Sequence, residues 1–202
     1  MSPARARMGT MADDARAPEP LIVPDAAAWR AWLDAHEDTS DGVRLVLAKK
    51  GTREPTSLTY AEALEAALCS GWIDGRRNAR DAGTFLQHFT PRRARSLWSQ
   101  RNVGLVAGLV ASGRMRARGH AEVERAKADG RWDRAYAGQA AAEVPPDLAS
   151  ALEASPVAAA RFAGLTRADR FVTISQVVTA TDDDTRARRI TRAVTALERD
   201  EP

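Results

Sequence analysis

Cysteine occurs once in this chain, at Cys69, and histidine three times, at His36, His88 and His120. A lone thiol excludes an intramolecular disulfide and any zinc site built from the cysteines of one chain. The histidines lie far apart and show no HxxxH or HExxH spacing, so no metal and no cofactor is expected. Lysine is nearly absent: Lys49, Lys50 and Lys127 are the only three among 30 basic residues, so the cationic chemistry of the chain is that of arginine. No run approaches the ~20 apolar residues of a membrane span. An apolar leader region is missing behind Met1, which argues against secretion and makes a cytoplasmic location the expectation. A net charge of +3 and a sequence pI near 9.5 leave bases only slightly ahead of acids, which is weak support for a nucleic-acid partner.

The 202 residues suffice for one full domain, or for one domain with a helical appendage. Residues 1–20 are small, charged and proline-bearing and read as a disordered tail, with Met8 and Met11 as alternative starts to Met1. Order is expected from Leu21. Pro24-Asp25 opens a short helix with Trp29, Trp32 and Leu33 on one face. Val43 to Ala48 reads as a buried strand that ends in the basic Lys49-Lys50-Gly51. Thr59 and Glu62 form a capping box for a helix with Tyr60, Leu64, Ala67 and Leu68 inward and Gly71 as its stop. Trp72 to Gly75 and Thr84 to Thr90 are strand candidates, the second with Phe85, Gln87 and Phe89 on one face. Ser96 or Ser99 caps a helix bearing Val103, Val106, Leu109 and Val110. A basic turn, Arg114 to Gly119, precedes another helix from His120 to Ala128. Residues 138–143 resemble a linker, and everything beyond reads as helix. Signals there are Ser155-Pro156, a cap at Thr166 to Asp169, and Asp182 to Asp184 at the start of the last helix. Arg186, Arg188, Arg189 and Arg192 are read as surface charges paired with those aspartates.

These elements predict an α+β fold: a small, mostly antiparallel sheet with helices, followed by an all-helical C-terminal part. The expected division is a tail over 1–20, an α+β domain over 21–138 and a helical module over 144–202.

Chemistry concentrates between Leu68 and Asn102, which hold the cysteine, two tryptophans, two phenylalanines, a histidine and seven arginines against two aspartates. Guanidinium forks beside a helix N-terminus suit phosphate or carboxylate, and tryptophan rings can stack a ligand beside them. The candidate ligand-binding residues are Lys49, Lys50, Trp72, Asp74, Arg92, Arg95 and Trp98. Cys69, near a helix C-terminus, sits where the dipole opposes a thiolate and reads as packing rather than a nucleophile. A Cys69–His88 pair oriented by Asp74 is formally possible. The basic segments 92–101 and 114–118 could track a nucleic-acid backbone, but Glu122, Glu124, Asp129 and Asp133 follow at once, so nucleic acid is not the expected partner.

The motifs LAKKG (47–51), SLTYAEALEAALCSGWIDG (57–75), FTPRRARSLWSQRN (89–102), SGRM (112–115), AKADGRWDRAY (126–136) and TRARRI (185–190) resemble the YdeI/OmpD-associated family, bacterial proteins also called bacteriocin-protection proteins. The resemblance runs from about residue 20 onward. It implies a role in bacterial stress and in tolerance of antimicrobial peptides or bacteriocins. It supplies no catalytic residue. It also implies a boundary near residue 140, because the helical C-terminal portion resembles a module that occurs joined to other domains.

Together the residues and the resemblance support a cytoplasmic, non-catalytic binder of an anionic small molecule or partner. The competing reading is an enzyme acting on a small phosphorylated or carboxylated substrate at the same basic, tryptophan-lined pocket. A third makes the C-terminal helices a protein-docking module. Oligomeric state is open.

Overall fold

The structure, a computed structural model, describes residues 19–199. Residues 1–18 of the expected tail lie outside the described residues. The chain divides into two compact units: one takes the residues up to Leu64 and Asp74–Thr90, the other Glu65–Ile73 and everything from Pro91 onward.

The first unit is built on a three-stranded antiparallel sheet in the order β1-β3-β2, with β1 Val43–Ala48, β2 Trp72–Ala79 and β3 Thr84–Pro91. Register is fixed by β1 against β3, from Val43 opposite Phe89 to Ala48 opposite Thr84. Leu45 to Ala48 are buried on both faces, as their unbroken apolar run requires. Phe85, Gln87 and Phe89 alternate inward along β3. The Gln87 amide, buried with them, is satisfied by donating to the Gly75 carbonyl at 2.8 Å. Helix α1 (Ala26–His36) starts where Asp25 accepts from the Ala28 N–H. It delivers Trp29, fully buried, against Phe89 at 5.7 Å, and the indole N–H of Trp29 donates to the Ala63 carbonyl. At the start of α2 (Tyr60–Cys69) the Glu62 carboxylate accepts from both the N–H and the hydroxyl of Thr59, so the capping box is formed. Tyr60 differs from its expected place in the buried stripe. It is half-buried, and its hydroxyl donates to Asp74 at 2.7 Å.

In the second unit, Gly71 stops α2 in the left-handed region at φ 71, and a side chain there would collide with Glu122. Helix α3 (Gln100–Ala111) is capped by Ser99, buries Val106 and Leu109, and leaves Val110 exposed. Helix α4 runs from Ala117 to Ala128, three residues earlier than expected. The reason is Gly119, read from sequence as part of a turn. It lies inside the helix, where a Cβ would come within 2.2 Å of the Cys69 carbonyl oxygen, and the Arg116 N–H donates to that same oxygen. The glycine serves close approach, not a turn.

Beyond it, α5 (Pro146–Glu153), α6 (Pro156–Gly164), α7 (Arg167–Val178) and α8 (Asp183–Arg199) enclose a core of Leu148, Leu152, Ala158, Phe162, Ile174 and Val177. Ile190, Val194 and Leu197 of α8 pack on this core from the expected stripe. The arginines of α8 differ from expectation. Arg186 does not pair with the aspartates of its own helix. It grips Asp147 of α5 through Nε (2.5 Å) and Nη2 (2.8 Å).

Candidate functional site

The segment from Arg92 to Ser99 enters the second unit as a tight turn, with the Arg93 N–H donating to the Ser96 hydroxyl and the Ser96 N–H to the Arg93 carbonyl. Turn geometry sends Arg92 inward and Arg95 outward. Arg92 is 4% exposed. Its Nη1 donates to the Leu97 carbonyl at 3.0 Å, and its guanidinium carbon lies 3.5 Å from the centre of the Trp98 ring. Trp98, itself 2% exposed, meets Trp132 at 4.8 Å. The arrangement is a buried cation–π stack that anchors the turn.

Above it a cavity of about 400 Å³ is lined by Ala94, Arg95 and Leu97 from the turn, by Asp129, Arg131 and Arg134 from the end of α4, and by Thr179, Thr181 and Arg189 from the α7–α8 corner. Three of its four guanidiniums are held in place. Arg131, 8% exposed, directs Nε at both Asp129 carboxylate oxygens (2.8 Å each) and Nη1 at the Ser96 carbonyl (2.9 Å). Arg134 donates to the Asp129 carbonyl at 3.1 Å. Arg189 donates to the Gln176 carbonyl at 2.5 Å, near the end of α7, where exposed carbonyls favour a cation. Arg95 is exposed and has no hydrogen bond or ion pair among the described residues. Asp129 is the single carboxylate of the lining. Its bonds from the Arg131 side chain hold its pKa below the ordinary aspartate value. Four guanidiniums facing one carboxylate make the cavity electropositive, and their planar forks are matched to carboxylate and phosphate oxygens.

Of the seven residues expected at a ligand site, Lys49, Lys50 and Asp74 belong to the first unit, and Trp72, Arg92, Arg95 and Trp98 to the second. Arg95 alone lines this cavity. The expectation that tryptophans offer open stacking faces needs correction: Trp72 is fully buried and Trp98 lies under Arg92. In the first unit, Lys49 donates through Nζ to the Asp81 carbonyl at 2.6 Å, Lys50 is exposed, and Asp74 is the half-buried acceptor of Tyr60. Cys69 is buried, and the ring of His88 is held below the ordinary histidine pKa by burial and then by Arg44.

Arg131, Arg134 and Arg189 were not expected in a site. One signal for the first was present in Asp129-Gly130-Arg131. Gly130, at φ 73, turns the chain so that the aspartate doubles back on the arginine two residues on. Among the described residues, no group of three or more His, Cys, Asp or Glu is placed to hold a metal ion, and no helix is long and apolar enough to cross a membrane.

No curated protein and no solved structure matches the chain. Two family models do. Residues 21–122 match a domain of unknown function (DUF8412), and residues 141–200 match "Bacteriocin-protection, YdeI or OmpD-Associated". The motifs between residues 47 and 115 that suggested the second family fall within the first match, while TRARRI lies in the second. The first match spans half of the chain, and the protein therefore belongs to the family of that domain of unknown function and carries a YdeI/OmpD-associated, bacteriocin-protection domain at residues 141–200.

Proposed function

We propose that this protein is a cytoplasmic, non-catalytic binder of a small anionic ligand, a carboxylate or phosphate ester, working in bacterial tolerance of stress or bacteriocins. The arginine-lined cavity of the second unit is its seat. The observation that carries the reading is Arg95, an unpaired guanidinium facing the same space as Arg131, Arg134 and Arg189. Three arginines fixed by carbonyls and one carboxylate repel one another across the cavity, and an anion would relieve that repulsion while accepting charge-assisted hydrogen bonds. A volume of about 400 Å³ falls within the range of small-ligand sites. Leu97, 47% exposed, adds an apolar wall for the body of such a ligand. The tolerance role rests on the match of residues 141–200.

The lining favours binding over reaction. Its hydroxyls are spent, Thr179 donating to the Ser175 carbonyl and Thr181 to Asp182, and Asp129 is committed to Arg131. That leaves no nucleophile next to a free base.

The test is a thermal-shift screen with inorganic phosphate, a nucleoside monophosphate and small dicarboxylates, run on the wild type and on Arg95→Ala. Binding to the folded state raises the unfolding temperature by mass action. An anion should do so for the wild type, and Arg95→Ala should lose the shift while keeping its ligand-free unfolding temperature. An equal shift in Arg95→Ala, or none with any anion at about 10 mM, overturns the reading.

A further inference from the structure

In the first unit, strand β2 lies at the edge of the sheet and, among the described residues, pairs with β3 on one side only. Five consecutive residues of it, Gly75 to Ala79, are exposed. A bare edge of this length presents alternating N–H and C=O groups that match one kind of partner, another extended chain. Proteins commonly protect such edges with proline, a very short strand or charged side chains, and β2, eight residues long and proline-free, has only charge to select what pairs with it. The strand is strongly basic. The Arg76 side chain makes no hydrogen bond or ion pair among the described residues, Arg77 lies flat with its guanidinium carbon 3.9 Å from the centre of the Phe85 ring, and Arg80 reaches Asp81 only at 3.8 Å. Lys49 joins them at the same end of the sheet, its N–H donating to Gly83 and its Nζ to the Asp81 carbonyl. The Thr84 hydroxyl and the main-chain N–H groups of Thr84 and Gly83 donate to Asp81 and hold its carboxylate below its ordinary pKa, so the acid at this end of the hairpin is already committed.

From this edge we propose that the β2 strand is a docking site for an extended acidic peptide segment of another protein, which adds to the sheet as a fourth strand beside Gly75–Ala79 with its carboxylates on Arg76, Arg77 and Arg80. Charge complementarity selects the occupant. A second copy of β2 would set arginines against arginines, which cross-strand pairing disfavours. Single-stranded nucleic acid needs exposed aromatic platforms, and the ring beside this edge, Phe85, is 5% exposed and lies under Arg77. The site is separate from the arginine cavity, which is built entirely of residues from Ala94 onward.

The experiment measures fluorescence anisotropy of a labelled peptide of about ten residues, alternating glutamate with threonine, titrated with the full-length protein. Binding is expected, with at least a tenfold loss of affinity (~1.4 kcal/mol) in Arg76→Glu/Arg77→Glu. The same peptide N-methylated at every residue keeps its charge but loses its backbone donors, and it should fail to bind the wild type. This arm does not depend on the variant folding. Arg95→Ala should bind the peptide as the wild type does. Three results overturn the proposal: undiminished binding of the N-methylated peptide, which means charge alone; equal or tighter binding of a DNA oligonucleotide of similar length; or loss of peptide binding in Arg95→Ala, which moves the peptide to the cavity.

Discussion

The guanidinium of Arg92 lies 3.5 Å above the Trp98 ring while its Nη1 donates to the Leu97 carbonyl, so this arginine serves the fold before it serves any ligand. A desolvated cation–π pair contributes about 2 kcal/mol, and the arginine stem adds packing of its own. Arg92→Ala should therefore lower unfolding free energy by about 2–4 kcal/mol in urea titration, with a loss of near-UV circular dichroism from Trp98. Arg92→Met, which keeps the volume and removes the charge, should cost less than the alanine variant, because both release the Leu97 carbonyl but methionine still packs on the Trp98 ring. If Arg92→Ala unfolds like the wild type, the stack contributes nothing.

Arg92 and Arg95 also mark how far the sequence could be read. They stand three residues apart in one basic run, identical in chemistry, and only the turn closed by Ser96 sends one inward and the other to a cavity. Local rules were enough wherever the determinant was local. Ser99, Ser155 and Thr166 cap their helices, and Phe85, Gln87 and Phe89 alternate inward, because each depends on neighbours within four residues. The destination of a guanidinium depends on carbonyls and carboxylates supplied from elsewhere in the chain. For Arg131 one of these is Ser96, and for Arg186 it is Asp147. The α+β class was legible for the first reason, and most of the cavity was hidden for the second.

Gly119 and Gly108 both sit inside helices and should respond to alanine with opposite signs. Replacing a helical glycine by alanine gains about 1 kcal/mol of propensity. At Gly108, where a Cβ meets nothing within 4 Å, that gain stands alone, and Gly108→Ala should raise the unfolding temperature. At Gly119 the new Cβ would lie 2.2 Å from the Cys69 carbonyl oxygen, a backbone atom that cannot swing aside. Overpacking of this kind costs typically 1–3 kcal/mol or more and would also stretch the Arg116 N–H bond to the same oxygen. Gly119→Ala should be destabilised by about 2 kcal/mol net. A stabilised Gly119→Ala would mean that α4 does not approach the end of α2 this closely.

The capping box at the head of α2 gives a smaller effect. Thr59 and Glu62 exchange hydrogen bonds at 3.0 Å and 3.4 Å through backbone N–H groups, with a third at 2.7 Å between their side chains. Thr59→Ala should cost about 1 kcal/mol in denaturant unfolding, and Thr59→Ser should restore most of it, since serine caps as well as threonine. Failure of serine to rescue would assign the loss to the threonine methyl.

The pairing of Arg186 with Asp147 makes the stability of the helical region fall in acid. Bonds from the Arg186 side chain depress the Asp147 pKa below its ordinary 3.8, and the same contact raises that of Arg186. A carboxylate whose pKa is lower folded than unfolded contributes its full stability above the unfolded value and loses it as pH falls through the folded one. The loss therefore begins near pH 4 and grows below it. Asp182, held at about 2 by the Thr181 hydroxyl and by the Thr185 N–H and hydroxyl at the head of α8, keeps its charge well below the ordinary aspartate range. The magnitude is modest. Arg186 and Asp147 are 30% and 44% exposed, solvent screens them, and a two-point guanidinium–carboxylate pair of this kind is worth about 1 kcal/mol. Asp147→Asn should lower stability by roughly that amount at neutral pH and by progressively less as the pH falls below the ordinary aspartate value, so its unfolding free energy should converge on the wild type as the solution is acidified. Arg186→Met also loses the bond to the Val177 carbonyl and should keep that part of its deficit in acid, while a double-mutant cycle with Asp147→Asn across pH should read a coupling that fades as the solution is acidified. A gap between wild type and Asp147→Asn that stays constant from neutral pH into acid would show that the aspartate acts through packing and not through its charge.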